Sequence, residues 1–169
     1  MIERQLIIYD FDDTLVKTES FIYVTNEITG SKLKLTPAEY AIYEPADGDI
    51  FDYSDFKIVS NPQEIEHNTF HFRNAVRESK DETVYILTAR AHYKPVRNYL
   101  KDIGINTDNV YVVALADSNP YKKSEWIETM IDENQYNYVY FIDDSYKNVA
   151  VTKEMLMNKD IKWDVHHAA

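Results

Sequence analysis

The sequence predicts an α/β fold: an open, doubly wound parallel sheet with a small insertion between its first two strands. Three observations carry this expectation. Four short runs, residues 6–9, 84–87, 110–115 and 138–142, are β-branched or aromatic and almost continuously apolar, as strands covered on both faces are. Helical periodicity separates the later runs, and strand–helix alternation with short loops builds a parallel sheet. The interval between the first two runs is several times too long for one crossover helix.

The first run, Leu6-Ile7-Ile8-Tyr9, closes on Asp10-Phe11-Asp12-Asp13-Thr14. Residues 17–66 are the surplus and form the insertion. Within it, 21–26 and 31–36 flank Gly30 as a hairpin. Thr36-Pro37-Ala38-Glu39 is a capping box with proline at the first helical position, so a short helix runs to about residue 43 and stops before Pro45. The remainder, to Asn61-Pro62, is acidic and aromatic. Tyr40, Tyr43, Phe51, Tyr53 and Phe56 are expected to build a small local core there.

Residues 1–16 and 67–169 form the main domain. A helix over 69–80, capped by Asn68, turns Phe72, Ala75, Val76 and Ser79 to one side. A second over 93–103 presents Val96, Leu100 and Ile103 and stops at Gly104. Ser124 is expected to cap a third, with Ile127, Met130 and Ile131 inward, and Ser145 a fourth, with Val149, Thr152 and Leu156. The alternating stretch 161–165 is an edge strand, and His166-His167 a disordered tail beyond it. The 14 tyrosines lie mainly in strands and on helix faces, so packing rather than base stacking is their expected use.

At 169 residues the chain can bury one sizeable core. Its net charge of −11, without a basic run, argues against a broad phosphate-binding surface. With no cysteine, disulfides, zinc–thiolate sites and cysteine nucleophiles are excluded. Three glycines cannot build a Walker-type loop or a dinucleotide fingerprint. The start lacks a signal-peptide pattern and no apolar run approaches membrane-spanning length, so a cytoplasmic location is expected.

In an open α/β sheet, ligands bind beyond the C-terminal ends of the strands. The first strand ends in Asp10-Phe11-Asp12, the second in Thr88-Ala89-Arg90. The third runs into Asp117-Ser118-Asn119-Pro120-Tyr121-Lys122-Lys123, and the fourth ends in Asp143-Asp144-Ser145. Clustered acids raise each other's pKa unless a cation or hydrogen-bond donors neutralise them, which points to a metal-dependent phosphoryl-transfer site. Arg90 is either a substrate contact or a surface salt bridge. His92 is expected at the surface, and Asp117, Ser118 and Asn119 in a turn.

This order resembles the haloacid dehalogenase-like phosphohydrolase superfamily over residues 5–150 apart from the insertion. The Asp-x-Asp-x-Thr motif is matched by Asp10, Asp12 and Thr14. The strand ending in a hydroxyl is matched by Thr88, the helix-opening lysine by Lys123 or Lys122, and the acidic pair by Asp143 and Asp144. Response-regulator receiver domains use similar residue types in a different chain order. The resemblance implies that Asp10 is a nucleophile forming an aspartyl-phosphate and that Asp12 is the general acid and base. It further implies Mg2+ held by Asp10, the Asp12 carbonyl, Asp143 and Asp144, and phosphate oxygens held by Thr88 and one lysine.

The resemblance also makes the insertion a small cap over an open site. The Leu-Thr-Ala-Arg and Asp-Asp-Ser stretches are similar to the phosphatase half of polynucleotide kinase–phosphatases and to small stand-alone phage and bacterial phosphatases. The insertion carries ten acids against four lysines, which repels a polyanion. The expected substrate is therefore a small phosphorylated metabolite or nucleotide, ahead of a 3′-phosphorylated nucleic-acid end. A catalytically silent binding module on the same fold is the alternative from another class. Substrate identity and oligomeric state stay open at this point.

Overall fold

A computed structural model describes residues 3–79 and 82–168. The outermost positions of the expected main domain, 1–2 and 169, and residue 80 of the expected first helix lie outside them. Five parallel strands make the central sheet: β1 (Gln5–Tyr9), β7 (Val84–Thr88), β8 (Val110–Ala114), β9 (Tyr138–Asp143) and β10 (Lys162–His167). Their order across the sheet is β10-β9-β1-β7-β8. The chain leaves β1 in one direction and later returns to its other side. The strand order thus reverses at β1, and in such sheets the crevice for a ligand opens at that point.

Alternating side chains explain why the strands read as continuously apolar. Tyr9, Val84, Ile86, Val110 and Val112 pack on one face with Phe72, Val96, Tyr99 and Leu100. The last four come from α2 (Glu66–Glu78) and α3 (Lys94–Asp102). Leu6, Ile8, Leu87, Val139 and Phe141 pack on the other with Ile127, Ile131, Val149 and Leu156. These belong to α4 (Pro120–Asn134) and α5 (Tyr146–Met157). Each fully buried large side chain contributes about 1.5–3 kcal/mol, so the sheet is held rigid from both sides. Among the described residues no helix is long and apolar enough to cross a membrane.

Three helix starts and one terminus compare with expectation as follows. α2 begins at Glu66, before Asn68, whose side chain instead donates to the Thr14 carbonyl at 2.9 Å. α4 begins at Pro120, a turn before Ser124, because the Asn119 side chain accepts from Tyr121 N and proline fills the first helical position. Ser145 does cap α5, accepting from Asn148 N. His166 and His167 are not a disordered tail: they pair with Ile142 and Asp143 in the last rungs of β10.

The insertion opens and closes on a two-rung antiparallel pair, β2 (Val16–Lys17) with β6 (Gln63–Glu64). Inside it, β3 (Ile22–Asn26) pairs with β4 (Lys32–Leu35) as the expected hairpin around Gly30, which sits at φ +74°. A third strand, β5 (Asp49–Asp52), pairs on the other edge of β3. The capping box of Thr36 and Glu39 forms at the start of α1 (Pro37–Ile42). A short 3-10 helix spans Ser54–Lys57. Ile22, Val24 and Leu35 form a small core against Tyr40, Tyr43, Phe51 and Phe56; Tyr53 lies outside it and is half exposed.

Candidate functional site

Chain reversal after β1 aims the first acids. Asp13 takes a left-handed conformation, φ +60°, and the Leu15 amide donates to the Phe11 carbonyl at 2.9 Å. This tight turn leaves Asp10 buried at the sheet edge and puts Thr14 beneath it. Thr14 Oγ1 donates to Asp10 Oδ2 at 2.8 Å and accepts from the Asp144 amide at 3.1 Å, tying the first motif to the last. Thr14 was legible only as a motif position; its hydroxyl bridge is a fact of the fold.

Lys123 rises from the first turn of α4. Its Nζ donates to Asp10 Oδ1 at 2.7 Å and to Asp143 Oδ2 at 2.8 Å. Only 3% of the residue is exposed. Burial alone would lower its pKa, but the charges of Asp10 and Asp143 outweigh burial and raise it, so the ammonium is fixed. Lys122 points elsewhere, towards Glu125 at 3.8 Å on the helix surface. The early start of α4 puts Lys123 inside the helix rather than ahead of its cap, and still delivers it to the acids.

Asp143 ends β9 and Asp144 follows it. Asp143 accepts from Lys123, from the Ser145 amide at 2.8 Å and from Asn148 Nδ2 at 3.0 Å. Asn148 was not anticipated; its signal is its place in the first turn of the helix that follows the acidic pair. One carboxylate oxygen from each of Asp10, Asp143 and Asp144 lies within 4.8 Å of the others. Burial, then the charge of Asp143, pushes the Asp10 carboxyl up to about 6 against the pull of Lys123. Burial, then the charge of Asp10, pushes Asp144 well above the carboxylate range. One ammonium does not balance three acids. Three carboxylate oxygens this close could hold a metal ion, whose charge would favour their ionised forms.

Arg90 lies buried rather than at the surface. The residue is 5% exposed and grips Asp12 with two arms, Nε to Oδ2 and Nη2 to Oδ1, both at 2.8 Å. Its remaining nitrogen, Nη1, donates to the carbonyls of Phe56 and Ile58 at 3.2 and 3.1 Å. The guanidinium also faces the rings of Phe11 and Phe56 at 5.5 and 5.0 Å. One side chain thus bolts the insertion to the second acid of the first motif.

Thr88 closes β7, buried, with Oγ1 accepting from the Arg90 amide at 3.1 Å. That bond uses a lone pair and leaves the hydroxyl proton to give. The Asn119 amide donates to Asp117 Oδ1 at 2.8 Å, so the loop before α4 is a turn that ends in a helix cap. His92 is exposed on the rim. His167 adds a contact from the edge strand, its Nε2 lying 2.8 Å from the Asp144 carbonyl.

Asp10, Asp12, Thr88, Arg90, Lys123, Asp143 and Asp144 all line one cleft of about 960 Å³, whose far wall is the insertion. The arrangement can hold a dication and an oxyanion against a buried carboxylate, with a second carboxylate nearby. No family model, curated protein or solved structure matches this chain.

Proposed function

We propose that the chain is a magnesium-dependent phosphatase that hydrolyses a phosphomonoester through an aspartyl-phosphate on Asp10, in the manner of the haloacid dehalogenase-like enzymes it resembles. The observation that carries this reading is the convergence of Asp10, Lys123 and Asp143 at the strand-order reversal, with Thr88 and Asp12 in the same cleft. A carboxylate held by both a hydroxyl and an ammonium is oriented for attack rather than merely buried.

Asp10, Asp143 and Asp144 would hold the cation, which when bound neutralises the cluster and polarises the phosphoryl oxygens. The rest falls to the chain itself. A carboxylate oxygen of Asp10 forms the new bond to phosphorus as the bond from phosphorus to the leaving oxygen breaks. Lys123 and the Thr88 hydroxyl supply donors for the oxygens that carry charge during transfer. The Arg90 fork fixes the plane of the Asp12 carboxyl and occupies two of its roughly four lone-pair sites. The outer face is left to carry a proton to the leaving oxygen. The same group then takes a proton from the water that cleaves the aspartyl-phosphate, returning Asp10 and inorganic phosphate.

The test is phosphate release from a panel of monoesters with and without magnesium, repeated on Asp10→Asn. Turnover should require magnesium and fall by at least about 10⁴-fold in the variant, with an unchanged circular dichroism spectrum. Turnover that survives in Asp10→Asn overturns the nucleophile. A blank across the panel with magnesium present overturns the enzymatic reading in favour of a binding module.

A further inference from the structure

The cleft has two unlike walls. The sheet edge is charged, while the insertion turns Pro37, Tyr40, Ala41, Ile42, Tyr53 and Phe56 towards it. Helix α1 buries none of its residues, although five of its six are apolar or aromatic. Ile42 is 75% exposed and Tyr53 47%. Apolar side chains left bare opposite a site for charge leave a place for the uncharged part of a ligand.

Flat rings build part of this wall. Tyr53 stacks on Phe51 with 6.2 Å between centroids and 17° between planes, and its hydroxyl meets that of Tyr40 at 2.7 Å. Arg90 covers one face of Phe56 and Phe51 one face of Tyr53; Tyr53 and Ile42 are the large side chains of this wall left most exposed for new contact. A planar ring can lie on such a wall with little loss of conformational freedom.

Charge sets a second condition. Seven carboxylates and four basic side chains line the cleft. Two of the four bases, Arg90 and Lys123, are already paired with Asp12, Asp10 and Asp143. Even with a dication bound, acids outnumber the positive charges on this lining, so negative charge on the leaving group beyond the one phosphate is repelled.

Resting on the phosphatase reading, we infer that the substrate is a monoester with a single phosphate whose leaving alcohol is uncharged and carries a planar ring, seated against α1 and Tyr53. The class includes nucleoside monophosphates and aralkyl phosphates. It excludes sugar phosphates without a base, nucleoside diphosphates and phosphorylated oligonucleotide ends.

The experiment compares 2-phenylethyl phosphate with ethyl phosphate, whose leaving oxygens are chemically alike, in the presence of magnesium. The ring should raise kcat/KM about tenfold. Tyr53→Ala and Ile42→Ser should each bring that ratio towards one, and a carboxylate on the ring should abolish the gain. Ile42 is largely exposed and Tyr53 half exposed, and a ratio of substrates does not depend on the folded fraction. Equal kcat/KM for the two esters overturns the inference and leaves the phosphatase reading standing. The corresponding phosphonates, titrated calorimetrically with magnesium, separate the two failures. Binding that is about tenfold tighter with the ring supports the ring seat against α1 and Tyr53; if no ester is then hydrolysed, it is the phosphatase reading that is overturned. Equal binding overturns the inference.

Discussion

The sheet edge and the insertion face each other across the cleft and are built on opposite terms. At the sheet edge the polar groups are buried and multiply bonded: Asp143 alone accepts from Lys123, Ser145 and Asn148. In the insertion the core is three buried residues with partly buried rings around them. The first region is chemistry fixed before a ligand arrives, because unpaired buried charges are intolerable. The second is a thin wall whose contacts are apolar and replaceable. Under the proposed function, reaction type would belong to one side and choice of leaving group to the other; Arg90 is the rivet between them.

The largest effect should come from the fixed side. Lys123→Met leaves Asp10 and Asp143 buried against each other without their shared cation. In chelator this should cost about 3 kcal/mol of stability, read from the urea midpoint, and added magnesium should restore part of it. An unchanged midpoint in chelator would mean that the pairs contribute nothing to the fold.

Arg90→Lys tests the rivet. An ammonium cannot span two carboxylate oxygens and two carbonyls, so Asp12 loses its set plane. If Arg90 is a positioning residue for proton transfer, kcat on ethyl phosphate should drop about a hundredfold. On p-nitrophenyl phosphate, whose leaving group needs no proton, only a few-fold loss is expected. Equal losses on both would reduce Arg90 to scaffolding.

On the replaceable side, Thr36→Ala removes the cap of α1 and should cost about 1 kcal/mol locally. Hydrogen exchange should quicken over 37–42 while amides of β1 and β9 stay protected. A matching change in the sheet would show that the two regions do not open separately.

The smallest effect is a pH slope. His71 Nδ1 lies 2.6 Å from the Tyr9 hydroxyl and its ring stacks on Tyr140. Burial first, then the charges of His166 and His67, hold its pKa below the usual 6.5. The unfolded chain therefore takes the proton first. Stability is full above pH 6.5 and falls as pH drops from there towards the lower folded value. His71→Gln should flatten this slope in thermal melts between pH 7 and 5; an unchanged slope would place the titration elsewhere.

Much of the fold was legible because local pattern and global role coincide. Leu6, Ile8, Val139 and Phe141 are apolar for the same reason that they are central. The acids, Thr88 and Lys123 lie at strand ends or in the helix turn after one, where chain order predicts spatial order. Arg90 stood out in the sequence but its partners were not legible: its fork with Asp12 joins residues 78 apart, and the others are backbone carbonyls, which carry no side-chain signal. The start of α4 was written in Asn119-Pro120 and overshadowed by Ser124 one turn later. His166 and His167 hide a strand because β10 is an edge and its last rungs leave polar side chains exposed.

The neck of the insertion has a consequence of its own. Val16 pairs with Glu64 and Lys17 with Gln63, so the segment leaves and rejoins the chain about 5 Å apart. Seen from the sheet, everything between is a detour that starts and ends at one doorstep. Its length and sequence can vary without moving Asp10 or Asp143. A lineage built on this scaffold can exchange the detour wholesale, provided that each newcomer still offers carbonyls where Arg90 reaches for them.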